Sequence, residues 1–187
     1  MILHQIEALF RRSNTTIHLL QLHSLIIKTA LHHNKYRLSQ LISLSSSISL
    51  QFSRTFFDNA PIILPIFAWN TMIRAYSKSS TELESLNLLN QLRKIGLEPD
   101  KFTFPVVLKV CGHFLMIGTG GSLHSMAFKS GFSSDLHVNN SLFRIYAGFG
   151  AISFARLVFD EMLERDVVSW SSMIAAYVLW YTYLFFQ

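Results

Sequence analysis

The stretch Trp69-Asn70-Thr71-Met72-Ile73-Arg74-Ala75-Tyr76 returns 101 residues later as Trp170-Ser171-Ser172-Met173-Ile174-Ala175-Ala176-Tyr177. Trp69, Met72, Ile73 and Tyr76 fall at i, i+3, i+4 and i+7, the spacing of one apolar face of an α-helix. Working outward, Leu22-His23-Ser24-Leu25-Ile26-Ile27-Lys28-Thr29-Ala30-Leu31 returns as Leu123-His124-Ser125-Met126-Ala127-Phe128-Lys129-Ser130-Gly131-Phe132, again 101 residues on. Phe52-Ser53-Arg54-Thr55-Phe56-Phe57-Asp58 matches Phe154-Ala155-Arg156-Leu157-Val158-Phe159-Asp160 at an offset of 102. Three matches at nearly one period mark an internal repeat, the feature that decides a fold before any other.

A period of this length is too long for one supersecondary unit, and smaller units inside it each close on an aspartate: Asp100, Asp135 and Asp166. They divide the chain into 66–100, 101–135 and 136–166, of 35, 35 and 31 residues, together one full period. Each unit reads as two helices. In the first, Lys78-Ser79-Ser80 breaks the helical run, Thr81 and Glu84 have capping-box spacing, and Leu86, Leu89 and Leu92 stripe the second helix. Gly96 then supplies a left-handed stop and Pro99 prevents resumption. A lone hairpin of this kind cannot bury its apolar face, so neighbours must stack into a solenoid. The fold class is all-α.

Composition is consistent with this. Half of the 187 residues are apolar, enough for a core, and 16 Lys and Arg against 11 Asp and Glu give a formal charge of +5, leaning toward a polyanionic partner. The single cysteine, Cys111, excludes an internal disulfide and a cysteine-rich zinc site. Eight histidines raise the question of a metal, but His23 and His124 occupy equivalent repeat positions, which solenoid packing explains. Gly118-Thr119-Gly120-Gly121 lacks the Lys-Ser/Thr of a phosphate loop and falls where a hairpin turn is expected. The sequons at Asn14 and Asn139 are read as chance matches, and Trp69 and Trp170 as core residues beside Met72 and Met173.

The units resemble the plant organellar pentatricopeptide repeats, in the subgroup that alternates ordinary, long and short repeats. The ordinary repeat is similar to 66–100, with its Trp-Asn-Thr-Met-Ile-Arg-Ala-Tyr opening and Gly-Leu-Glu-Pro-Asp close. The long repeat is similar to 101–135, through Phe102-Thr103-Phe104-Pro105-Val106-Val107-Leu108-Lys109 and Lys129-Ser130-Gly131-Phe132. The short repeat is similar to 136–166, through Phe159-Asp160-Glu161-Met162 and Glu164-Arg165-Asp166. Upstream, 1–18 is a lead-in, 19–34 resembles half a long repeat and 35–65 a degraded short one. That degraded unit carries a serine tract at Ser45-Ser46-Ser47 and lacks a terminal Asp. Residues 167–187 open another repeat and end in a divergent apolar tail.

The resemblance implies a right-handed superhelical solenoid of antiparallel hairpins, tetratricopeptide-like, that binds single-stranded RNA one base per repeat. It implies that the fifth and last residues of each repeat read the base: Asn70 with Asp100, Pro105 with Asp135, and Asn140 with Asp166. Asn-Asp pairs imply a preference for uridine, while Pro105 has no side-chain hydrogen bond to offer, so the middle repeat is a spacer or reads weakly and the pattern is U-x-U. Arg74, Lys109 and Arg144 are available for phosphates.

The implied role is an adaptor in organellar RNA processing, editing or splicing, with RNA-editing factors as partners and mitochondrion or plastid as location. Arg11-Arg12 before Ser13-Asn14-Thr15-Thr16 suits a transit segment, although repeat-like sequence begins by Leu19. The deaminase-type extension carried by some members has no counterpart here. No nucleophile-base constellation, paired carboxylate or metal spacing points to an enzyme, and no cofactor or small-molecule substrate is expected. Residues 167–187 carry no formal charge, but their serines and repeat register argue against a membrane span. Two reading pairs specify too few bases to select one transcript, so the chain reads as a truncated or decayed relative of a longer array. The alternatives are a protein-interaction helical-repeat scaffold and a non-functional truncated fragment. A peptide-binding solenoid needs neither the 35/35/31 triplet nor the Asn-Asp pairs.

Overall fold

The computed structural model describes residues 2–185, and every regular element among them is helical. The helices belong to two compact units, a first ending at Leu97 and a second beginning at Glu98. In the first unit α1 (Ile2–Arg12) packs on α2 (Thr16–Lys28), α3 (Lys35–Ile48) on α4 (Leu50–Asp58), and α5 (Ile66–Tyr76) on α6 (Glu84–Lys94). The hairpins stack because α3 also contacts α2 and α5. In the second unit α7 (Phe104–His113) pairs with α8 (Ile117–Lys129), α9 (Leu136–Gly148) pairs with α10 (Ile152–Glu161), and α11 (Val167–Phe185) lies on both α9 and α10. In both units the first helix of one hairpin rests on the first helix of the next: α3 on α5, α7 on α9 and α9 on α11. Each unit is therefore an all-α stack of helical hairpins.

Local chemistry sets the ends of these helices. Side chains of Thr15, Asn34 and Ser49 accept hydrogen bonds from the first free backbone N–H groups of α2, α3 and α4. At the C-termini Gly96, Gly131 and Gly150 take positive φ angles of 80°, 81° and 71°. Each lets the next N–H reach back to a carbonyl five residues earlier: Leu97 to Leu92, Phe132 to Ala127, Ala151 to Tyr146. Ala30 stands where the period places Gly131, and it adopts the same left-handed backbone at φ 56°. Leu115 does likewise at φ 50°.

The sequence repeat returns as a repeat of contacts. Phe57 meets Trp69 edge-on with ring centroids 4.6 Å apart, and Phe159 meets Trp170 in the same way at 4.9 Å. Arg54 pairs with Asp58 and lies over the Tyr76 ring, while Arg156 pairs with Asp160 and donates to the Tyr177 hydroxyl. Met72 and Met173 are both buried. Around these contacts the first unit seals in Leu22, Ile26, Leu41, Ile42, Ile73, Leu88 and Leu92, and the second Phe104, Val107, Leu108, Val138 and Phe143. Each such side chain contributes about 1.5–3 kcal/mol by leaving water.

Three expectations are corrected. Gly118 to Gly121 are not the hairpin turn. They lie inside α8, and the turn is made by Phe114 to Met116, where Leu115 supplies the left-handed residue. The glycine is needed for close packing instead: a Cβ on Gly120 would sit 3.0 Å from Ile145 Cδ1 and 3.2 Å from the Phe149 ring. Nor do Thr81 and Glu84 form a capping box. α6 begins at Glu84 with no side-chain cap, because the Glu84 carboxylate is taken by Arg54 at 2.6 Å and by Asn87 at 2.9 Å. An ion pair to a neighbouring hairpin outcompetes the local bond. Finally, Trp69 is buried, as expected, but Trp170 is 55% exposed. Trp69 lines a cleft together with Leu64 and with Ile95 beyond α6, whereas α11 has no α6 counterpart packed on it among the described residues.

α11 runs through the apolar tail as one helix to Phe185; Phe186 and Gln187 lie outside the described residues. Among the described residues no helix is long and apolar enough to cross a membrane.

Candidate nucleic-acid interface

Asp100, Asp135 and Asp166 each precede the first helix of a hairpin, and the structure gives all three one local task. The Asp135 carboxylate accepts from the backbone N–H groups of His137 and Val138 and so caps α9. Asp100 accepts from the N–H groups of Phe102 and Thr103 and from the Thr103 hydroxyl, which in turn accepts from the Asp100 N–H. Asp166 repeats this with Ser169, whose N–H and hydroxyl donate at 2.8 and 2.7 Å, while the Asp166 N–H donates back to the hydroxyl at 2.8 Å. A terminal Asp followed three residues later by Thr or Ser is thus a reciprocal cap. The motif was visible in the sequence at 100–103 and 166–169 but was masked by the reading of Asp as a closing residue.

Within the second unit Asn140 and Asp166 are brought together. Asn140, buried in α9, donates from Nδ2 to Asp166 Oδ1 across 3.3 Å. Because a carboxylate only accepts, this contact fixes which way the amide points. Asn140 Oδ1 is then turned away, buried, and without a hydrogen-bond partner. An unmatched buried acceptor costs roughly 1–3 kcal/mol, which a donor reaching it from outside the chain would recover. The Ser169 hydroxyl and N–H, helped by the Asn140 amide, hold the Asp166 carboxyl below the usual carboxylate range, so it stays ionised and keeps accepting.

The other positions differ. Pro105 sits half-buried in the first turn of α7, and it has no donor to offer the Asp135 carboxylate. Asn70 lies half-buried in α5 of the first unit, and Asp100 belongs to the second. Asn139, beside Asn140, does different work: its Nδ2 donates to the Ser133 carbonyl at 2.8 Å and ties the preceding loop to α9. One feature escaped the sequence reading. Phe67 and Phe102, three residues before Asn70 and Pro105, are each 56% exposed, and His137 stands in the same place before Asn140. Exposed rings of this kind are suited to stacking on planar groups.

No group of three or more His, Cys, Asp or Glu side chains is placed to hold a metal among the described residues. His124 is instead bound to the Tyr146 hydroxyl at 2.9 Å, and His23 packs on the Phe56 ring.

Stacked helical hairpins, with an aspartate at the start of α7, α9 and α11 and an amide held against one of those aspartates, define a helical-repeat protein. Comparison with known proteins makes this specific. The family described as PPR repeat matches residues 67–97 and 140–167. Relatives in Arabidopsis thaliana include one pentatricopeptide repeat-containing protein 36% identical over 94% of this chain and 35% of its own length. A second is 36% identical over 83% of this chain and 19% of its own length. A third, whose name places it in the mitochondrion, is 34% identical over 90% of this chain and 29% of its own length. The chain belongs to the pentatricopeptide-repeat family. It spans about a third or less of the length of these relatives.

Proposed function

We propose that the chain binds single-stranded RNA with a base preference, one base per repeat, as a non-enzymatic adaptor in organellar RNA processing such as editing or splicing. The observation that carries this reading is the Asn140–Asp166 bond, which leaves a buried, unpartnered acceptor at Asn140 Oδ1. Uracil offers an N–H donor flanked by carbonyl acceptors on its Watson-Crick edge. It can give that proton to Oδ1 and accept from the second Nδ2 hydrogen.

The repeats are then 66–100, 101–135 and 136–166 in the ordinary, long and short order, with 19–34 and 35–65 as partial or degraded units upstream. Asn70 with Asp100 reads a second uridine, and Pro105 with Asp135 marks an unread position, giving U-x-U. Relatives named as mitochondrial or as chloroplastic/mitochondrial support an organellar site of action, and editing factors are the natural protein partners.

Fluorescence anisotropy of the purified chain with short RNAs in U-x-U and A-x-A registers tests the reading. Tighter binding to U-x-U, lost in Asn70→Ala/Asn140→Ala, is the expected result. A folded chain that binds no RNA, or a preference that survives the double substitution, would overturn it and leave a protein-interaction scaffold as the better account.

A further inference from the structure

Counted from the start of each unit, the ninth residue is the one position at which 66–100, 101–135 and 136–166 all carry a cation: Arg74, Lys109 and Arg144. Each stands four residues after the reading position, Asn70, Pro105 or Asn140. Residues i and i+4 share a helix face with Cβ atoms about 5–6 Å apart, so every cation lies one turn along from its own reading residue on α5, α7 or α9.

All three are exposed, and none has an acidic partner among the described residues. Four of the other seven arginines are engaged within the protein: Arg37 with Glu7, Arg54 with Asp58 and Glu84, Arg156 with Asp160, and Arg165 with the carbonyls of Phe159 and Asp160. The degraded segment without a closing Asp lacks the cation as well. The unit 35–65 has Ser39 and Ser43 at the two places, and α11 has Ser171 and Ala175.

We propose that Arg74, Lys109 and Arg144 bind the RNA backbone phosphates, one per repeat, each holding the nucleotide presented to its own reading position. This rests on the RNA-binding reading above and deepens it at the middle repeat. Pro105 reads no base, yet Lys109 keeps the cation, so that repeat holds its nucleotide by the backbone alone and keeps the two reading repeats in step. Base identity comes from Asn70 and Asn140, and charge-driven affinity from all three ninth positions.

The test is the salt dependence of binding, measured by anisotropy on a U-x-U RNA and its A-x-A counterpart. Each phosphate contact on a single strand contributes about 0.7 to the slope of log K against log salt. Arg74→Gln, Lys109→Gln and Arg144→Gln are each expected to lower that slope by about 0.7 while leaving the ratio of U-x-U to A-x-A affinity unchanged. Arg74→Lys and Arg144→Lys retain the slope, and Arg93→Gln and Lys94→Gln, on exposed positions of α6, leave it near the parent value. Unchanged melting temperatures show that the exposed substitutions leave the fold intact. Equal slope losses at Arg93 and Lys94, or no loss at Lys109, would overturn the proposal while RNA binding itself stands. A parent chain with no salt-dependent RNA binding would remove the reading on which it rests.

Discussion

At Asp166 one carboxylate caps α11 and orients the Asn140 amide at the same time. The two tasks are separable by substitution. Asn140→Ala removes the reading group and leaves the cap, whereas Asp166→Asn disturbs both. Because the folded-state pKa of Asp166 is depressed, its contribution to stability is fully present above the ordinary carboxylate pKa and is lost as pH falls through the lowered folded value. Thermal melting between neutral and strongly acid pH is expected to show the parent losing stability at the acid end, with a shallower loss in Asp166→Asn; parallel curves would contradict this. Asp135 has the capping task without a serine or threonine partner, so Asp135→Ala should cost about 1 kcal/mol in denaturant unfolding. Ala30 and Leu115 hold left-handed backbone that disfavours any Cβ. Ala30→Gly and Leu115→Gly should each stabilise the chain by about 0.5–1 kcal/mol, the relief of that strain exceeding the added freedom of the unfolded chain.

At the scale of the element, α8 shows how one composition serves two purposes. A helix containing Gly118, Gly120 and Gly121 is a poor helix by propensity and forms because its neighbours hold it. Nothing lies within 4 Å of where a Cβ on Gly121 would be, so Gly121→Ala should stabilise by about 0.5–1 kcal/mol through helix propensity. Gly120→Ala gains the same propensity but drives its Cβ against Ile145 and Phe149, and a denaturant titration should show that gain cancelled or reversed. An equal gain at both glycines would mean α9 yields more readily than its packing implies. The two tryptophan elements differ in the same local sense. In single-tryptophan variants, Trp69 should resist acrylamide quenching and Trp170 should be quenched freely, given their exposures of 7% and 55%.

For the whole molecule, the proposed RNA-binding function makes the number of reading pairs the limit on affinity. If each read base contributes about 1–3 kcal/mol, two supply roughly 2–6 kcal/mol before ordering costs, which corresponds to a Kd no tighter than roughly tens of micromolar. The formal charge of +5 then makes low salt the condition under which binding is visible. Nanomolar binding to a three-nucleotide register would show that contacts beyond these residues dominate.

The hairpin architecture could be read from residues 66 to 177 because a helical face and its turn must recur whenever the same packing problem recurs. The period carried through to matching contacts at Phe57/Trp69 and Phe159/Trp170. The stop at Gly96 was equally legible, since a left-handed residue at a helix end is local chemistry. The competition among partners was not legible. Glu84 has good cap spacing with Thr81, yet Arg54, distant in sequence, takes it. Gly118 to Gly121 have turn composition, yet Ile145 and Phe149 turn Gly120 into a packing site. Trp170 matches Trp69 letter for letter and differs in burial because covering a side chain requires a second helix. The amino-acid sequence by itself determined the helices, their pairing and the family; only the tertiary structure decided which polar group bonds to which, because a buried donor or acceptor takes the partner that packing brings near it rather than the one spacing offers.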